Sequence, residues 1–281
     1  MLSYRHAFHA GNHADVLKHF VLIQLTQYLG QKEKPFWYVD THSGAGAYAL
    51  DSGYAAKLAE YKDGIGRLWG RNDLPRPLAD YVDLVRRLNP ARRLLVYPGS
   101  PYFALWTMRD QDRLRLFELH GKDARLLQEN FVAAGKQVLV DPSDGFAGLK
   151  AMLPPPPRRA VVLIDPSYEE KQDYDRVFKA AKEALSRFPG GTYAVWYPQL
   201  TRLDAHELPV RLKNLPVKSW LQVALRVREP SKDGFGMHGS GMFILNPPWT
   251  LHNTLADVMP YLVSVLGTDS GAGFSLEQKE S

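Results

Sequence analysis

The stretch Val161-Val-Leu-Ile-Asp-Pro-Ser-Tyr-Glu-Glu-Lys171 runs four apolar residues straight into Asp165, Pro166, Ser167 and Tyr168. A short apolar run that follows a turn-rich PPPPRR (154–159) reads as a buried strand. Its end brings together a carboxylate, a backbone carbonyl and a phenol ring. A second tetrapeptide, Asn246-Pro247-Pro248-Trp249, carries the same ingredients. One of the two is expected to be a site and the other a corner, and the remaining elements decide which.

Outward from this strand, FWYVD (36–40), LRLFEL (114–119), KQVLV (136–140), TYAVWY (192–197), WLQVALRV (220–227) and GMFILN (241–246) also read as strands. Helical spacing covers 14–30, ending at Gly30, and also 54–69, 77–89, 173–187 and 251–266. Strands alternating with helices imply an α/β protein, a doubly wound and mostly parallel sheet with helices on both faces. The last two strands are joined by EPSKDGFGMHGS with no helix, so they should pair antiparallel at one edge. Residues 51–93 are too long for a βα connection and too helical for a loop, and read as a helical insertion on the first crossover. The main domain is then 1–50 with 94–266, and the small, polar tail 267–281 is expected to be flexible.

The length of 281 residues suits one large α/β domain or two small ones. With 45% apolar and 23% charged residues the composition is that of a folded chain. No apolar run is long enough to cross a bilayer, and the N-terminus has no signal-peptide core. Cysteine is absent, which excludes a disulfide framework and a cysteine-based zinc site. The expected compartment is the cytoplasm. A net charge of +5 and a pI near 9.2 suit a polyanionic partner.

In FWYVDTHSGAGAY, Asp40 ends a strand and Gly44 and Gly46 follow. Glycines let a ligand approach the backbone, and a helix N-terminus after them favours negative charge. GAGAYA matches the relaxed dinucleotide fingerprint, but that fingerprint needs an acid about 20 residues on. Here the insertion intervenes and the next strand-end acid is Glu118, which disfavours a nicotinamide site. Asp40, Glu118 and Asp144 sit at or just past successive strand ends. Ligands of open α/β sheets bind beyond those ends. Glu118 suits a ribose diol and Asp144 an adenine amine; the competing reading is that such acids cap helices. Three in order, followed by DPSY, favour a nucleoside cofactor.

An exocyclic amine on a base is a poor nucleophile, because its lone pair is delocalised into the ring. Acceptors for both N–H groups draw the nitrogen toward tetrahedral geometry, and an aromatic ring stacks on the base, worth about 1–3 kcal/mol. Asp165, the Pro166 carbonyl and Tyr168 supply all three, with the proline fixing the chain. NPPW is by letters the better match to the Asn/Asp-Pro-Pro-aromatic motif of amino-methyltransferases. Topology selects DPSY: it closes a parallel strand on the cofactor side, whereas GMFILN is the antiparallel strand whose end lies at the opposite rim.

Together LSYRHAFHAGNHADVLKH, DTHSGAGAY, YPGSP (97–101), FELH and IDPSYE resemble the RlmJ family of bacterial 23S ribosomal RNA adenine-N6 methyltransferases, over nearly the whole chain. The resemblance implies a Rossmann-like class I methyltransferase fold with a helical insertion, and S-adenosylmethionine as cofactor. It also implies cofactor contacts at His19, His42, Ser100, Glu118, Asp144, Gly145 and Asp165, with Lys18 near the methionine end. Asp165 becomes the catalytic acid, and Tyr4 and His6 handle RNA. The sequence departs from the motif at Ser167, where the family has proline. The expected partner is 23S ribosomal RNA, with a monomeric protein, no membrane and no metal. His9 and His13 stand at i, i+4, but no acid completes a ligand set. Arginine doublets stand at 86–87, 92–93 and 158–159, each consistent with ordinary surface; the two in or beside the insertion, 86–87 and 92–93, are candidate phosphate contacts, and Trp69, Trp106 and residues 36–38 read as core. A DNA adenine-N6 methyltransferase and a non-catalytic nucleic-acid-binding protein are the alternatives.

Overall fold

The computed structural model describes residues 6–51 and 58–280. Helix α1 (His13–Gly30) is capped by Asn12, whose side-chain oxygen accepts from the amides of Ala14 and Asp15. It is buried nearly all round, and this encloses Asp15, Lys18 and His19. Enclosed charges must find partners inside the protein. The chain continues through β1 (Trp37–Asp40), β2 (Ala47–Ala49), α2 (Ile65–Trp69), α3 (Arg76–Arg86), β3 (Val96–Pro98) and α4 (Ser100–Thr107). Next come β4 (Arg113–Phe117), α5 (Gly121–Phe131), β5 (Val138–Asp141), α6 (Gly145–Met152), β6 (Ala160–Ile164) and α7 (Gln172–Arg187). Then β7 (Thr192–Gln199), α8 (Leu203–Lys213), β8 (Trp220–Arg226), β9 (Gly239–Leu245), α9 (Leu251–Leu266) and β10 (Gly273–Lys279) complete it.

The main sheet runs β10-β8-β9-β7-β6-β1-β4-β5. From β7 to β5 neighbouring strands are parallel, and β9 is antiparallel to both β7 and β8. All five residues of β6 are buried, as expected of a central parallel strand covered on both faces. Its side chains alternate: Val161 and Leu163 join the core under α1 and α9, while Val162 and Ile164 join the one under α7 and α8. The expected antiparallel hairpin is present as β8–β9.

Two expectations change. The tail is not loose: Gly273–Lys279 pairs with β8 along seven register positions, from Gly273 opposite Arg226 to Lys279 opposite Trp220. Small polar residues resembled a frayed end, yet the exposed edge of β8 offers backbone partners that composition does not reveal. The helix expected over 54–69 falls partly outside the described residues. The rest is a short 3-10 turn, Glu60–Asp63, and α2, separated by Gly64. Leu68, Leu78, Tyr81 and Val85 join the same core as α1, so this region packs into the main body. Its two ends meet where β2 pairs with β3, Ala47 opposite Pro98.

NPPW forms the corner between β9 and α9. Leu245 lies opposite Tyr193 near the start of β7, so Asn246 is at the rim opposite Asp165. Asn246 has φ +53°, and its side-chain amide donates to the carbonyls of Pro189 (2.9 Å) and Gly191 (2.7 Å).

Candidate active site

The carboxyl ends of β1, β4, β5, β6 and β7 open onto a cavity of about 350 Å³. From β1 the chain goes outward to β4 and β5, then returns to β6 on the other side of β1. That reversal is the topological switch point at which α/β sheets bind ligands. Asp165 follows β6 on one side of the switch, and the Thr41–Gly44 loop follows β1 on the other.

Asp165 and Lys18 form the centre of the wall. Lys18 Nζ lies 2.6 Å from Asp165 Oδ2 and 2.8 Å from Asp15 Oδ1. Asp15 also contacts His6 Nε2 at 2.9 Å and accepts from the Gly11 amide. Burial raises the Asp165 pKa to about 6, against the pull of Lys18. Burial works against the Lys18 charge as well, but the two carboxylates outweigh it and the ammonium is held firmly protonated. Burial likewise pushes Asp15 up, while His6 and Lys18 bring it well below the usual carboxylate range. Helix α1 thus delivers to the switch point a cation whose charge is secured by two acids from different segments.

Around this pair, His19 is buried and contacts the Tyr97 hydroxyl through Nδ1 at 2.7 Å; burial keeps it neutral. His42 lies edge-on to Phe146 and shares a hydrogen bond with Thr41, and burial lowers its pKa to about 4. Glu118 accepts from the amides of Gly44 (2.8 Å) and His120 (2.7 Å), and burial raises its pKa. Gly44 needs its glycine: φ is +61°, and a Cβ would strike the Tyr48 hydroxyl. Asp144 is a helix cap, accepting from the Phe146 amide at 2.8 Å, and it also pairs with Arg176 at 3.0 Å. Gly145 opens α6 so close to the Thr41 carbonyl that a Cβ would collide with it. His19, His42, Gly44, Glu118, Asp144 and Gly145 line the cavity, as do Ser100, Pro166 and Tyr168.

Two residues expected to touch a cofactor do not line it. Asp40 is fully buried behind the loop, where it accepts from the Tyr38 and Ser100 hydroxyls, each at 2.6 Å, and from the His42 amide. Gly46, at φ +82°, turns toward Phe131 and Leu127 of α5. Asp40 and Gly46 therefore shape the loop from behind. Tyr168 is only 4% exposed: its hydroxyl donates to the Trp196 carbonyl at 2.6 Å and its ring packs on Tyr174. Tyr4 lies outside the described residues. His6 is at the cavity, edge-on to Tyr48 at 5.0 Å.

Of the other candidates, His9 contacts Glu60 at 3.0 Å. The 158–159 doublet is at the amino ends of the strands, where Arg159 donates to the carbonyls of Leu29 and Lys34. That is the rim opposite the cavity. Arg86 is engaged by Asp83 and by the ring of Trp69, and Arg87 lies over Trp106. Arg92 and Arg93 are exposed.

A family profile described as "Ribosomal RNA large subunit methyltransferase D, RlmJ" matches residues 33–277. The chain belongs to the RlmJ family. Ribosomal RNA large subunit methyltransferase J of Haemophilus influenzae is 47% identical over 278 residues, 99% of this chain and 98% of that protein. The protein of the same name in Escherichia coli is 46% identical over 95% of this chain and 94% of its own length. A crystal structure from Legionella pneumophila overlays with TM-score 0.88 at 37% identity, covering 97% of this chain and 98% of that one.

In this RlmJ-family cavity, Asp15, Trp196 and Arg176 were not singled out by sequence reasoning. Asp15 had a signal: Asp15 and Lys18 stand one helical turn apart in HADVLKH. Trp196 follows Val195, the β7 partner of Ile164, just as Asp165 follows Ile164, so the same rim rule applies to it. Arg176 carried none, because its approach to Asp144 depends on how α7 packs beside α6.

Proposed function

We propose that this chain transfers a methyl group from S-adenosylmethionine to the exocyclic N6 amine of an adenine in 23S ribosomal RNA. The observation that carries the reading is Asp165: partly buried, paired with Lys18, and at the same rim as Gly44, Glu118 and Asp144.

The lining suits a cationic nucleoside cofactor. Asp15, Glu118, Asp123, Asp144, Asp165 and Asp173 bring six carboxylates, against two permanent cations, Lys18 and Arg176. A volume near 350 Å³ is within the range of small-molecule sites. Glu118 would receive the ribose diol, the Gly44 loop and Gly145 would allow close approach of backbone, and Lys18 and His19 would lie toward the methionine end. S-adenosylmethionine, when bound, supplies an electrophilic methyl activated by its sulfonium charge.

The chain's own groups prepare the amine. Lys18 takes Oδ2 of Asp165, so Oδ1 is the oxygen left to accept one amine N–H. The Pro166 carbonyl accepts the other. Together they turn the nitrogen lone pair out of conjugation and hold it in line for attack, and this positioning supplies most of the rate. Tyr168, tied to Trp196, closes the wall on which the base packs. The target must leave its stack to reach this depth. Once methylated, the amine sheds a proton to Asp165 or to water. The reading includes a monomer, working in the cytoplasm.

The test is transfer of labelled methyl from S-adenosylmethionine into total ribosomal RNA from cells lacking this protein, with genomic DNA in parallel. N6-methyladenosine in large-subunit RNA alone is the expected product. Label in DNA alone, or no label in either, would overturn the assignment.

A further inference from the structure

The β8–β9 loop carries an exposed ring two residues from Met237, which lines the cavity. Phe235 is 79% exposed. It stands between Gly234 and Gly236, whose φ values of 76° and 86° let the chain turn back on itself and leave the ring at the tip. The tip is tied down on both sides. Asp233 Oδ1 accepts from the Phe235 amide at 3.1 Å and from the Ser231 hydroxyl. Thr201 donates to the Gly234 carbonyl at 2.8 Å, and Arg228 to the Met237 carbonyl at 2.9 Å. Two residues beyond Phe235, Met237 lines the cavity beside Pro198 and Leu200, and Thr201 follows Leu200 directly. Arg228 and Lys232, both exposed, put two cations on the same loop, alongside the exposed acids Glu229 and Asp233.

A single exposed apolar residue is ordinary. A braced aromatic ring on a loop that carries two cations, two residues from the wall of a cavity that must admit an unstacked base, has a specific use. We propose that Phe235 stacks on the RNA base next to the target adenine and keeps the strand open while the adenine occupies the cavity. The inference rests on the RNA-methylating reading above. The partner is a nucleobase because Arg228 and Lys232 suit the phosphates on either side of it, and because every base offers a face to an aromatic ring.

The experiment compares wild type with Phe235→Ala, Phe235→Trp and Trp249→Ala. Trp249 is as exposed, at 78%, but it lies at the opposite rim. Initial rates are measured on large-subunit RNA from cells lacking the protein, and S-adenosylhomocysteine binding by calorimetry. Phe235→Ala should lower kcat/KM for RNA roughly ten- to a hundredfold, the worth of one stacked base. Phe235→Trp should stay near wild type, Trp249→Ala should be silent, and all four proteins should bind S-adenosylhomocysteine alike. A Phe235→Ala rate within twofold of wild type overturns the proposal and leaves the proposed function standing. So does an equal loss in Trp249→Ala. A wild-type protein that methylates no RNA removes the proposed function and this inference with it.

Discussion

At the scale of single residues, the unusual object is a lysine enclosed in a helix and shared by two acids. Removing one member of a buried ionic set leaves the others uncompensated. The Asp165 carboxyl must be ionised to accept from an amine, and its pKa is raised to about 6. Activity should therefore fall as pH drops through about 6. Lys18 pulls that pKa down, so Lys18→Met should shift the acid limb of the kcat/KM profile to higher pH. A limb that stays in place would assign it to another group. Asp165→Ala should abolish turnover while RNA affinity, measured by filter binding, stays within about twofold; retained turnover would reject the role given to Asp165.

At the scale of elements, the two look-alike tetrapeptides follow strands of opposite direction and so end at opposite rims. Asn246 satisfies two carbonyls with one amide in a left-handed corner. Asn246→Ala should lower stability by about 1–2 kcal/mol through those lost bonds. Its activity per folded molecule should not change. A denaturant melt with parallel rate measurements checks both halves, and loss of rate in a stably folded variant would return NPPW to the active site. The last strand has a different task. β10 covers the backbone edge of β8, with Lys213–Glu277 as one side-chain clasp. Deleting 273–281 should lower the melting temperature and promote concentration-dependent association through the bared edge. Light scattering would register this; an unchanged, monodisperse protein would mean the edge needs no cover.

For the whole molecule the relevant quantity is the placement of its +5 excess. The cavity itself is acidic, so the positive surface that meets a polyanion lies elsewhere. Arg159 is used in packing at the far rim, and Arg86 and Arg87 are engaged within the insertion. Arg92 and Arg93 are exposed at the end of the same insertion. The double change Arg92→Ala with Arg93→Ala should weaken RNA binding and reduce the slope of log affinity against log salt by roughly one to two. Parallel lines for wild type and variant across several salt concentrations would exclude phosphate contacts there.

What was legible in the sequence was whatever a short window can encode. The apolar run at 160–164 became the fully buried β6, and the 3.6-residue spacing at 251–266 became α9, because burial periodicity is local chemistry. Strand direction was legible too, since a connection without a helix forces antiparallel pairing, and this separated DPSY from NPPW. The relation between Asp165 and Lys18 was not, because its two groups are 147 positions apart and meet only when α1 packs beside β6. Nor was the fate of Asp40, which has the letter of a ligand but sits behind its loop holding Tyr38 and Ser100. Edge pairing of the tail depended on a strand some 50 residues earlier. By itself the sequence determined the order of the main strands and the rim at which Glu118, Asp144 and Asp165 gather. Only the tertiary structure decided which acids face the cavity and which cation holds them, because burial and pairing are properties of distance in space and not along the chain.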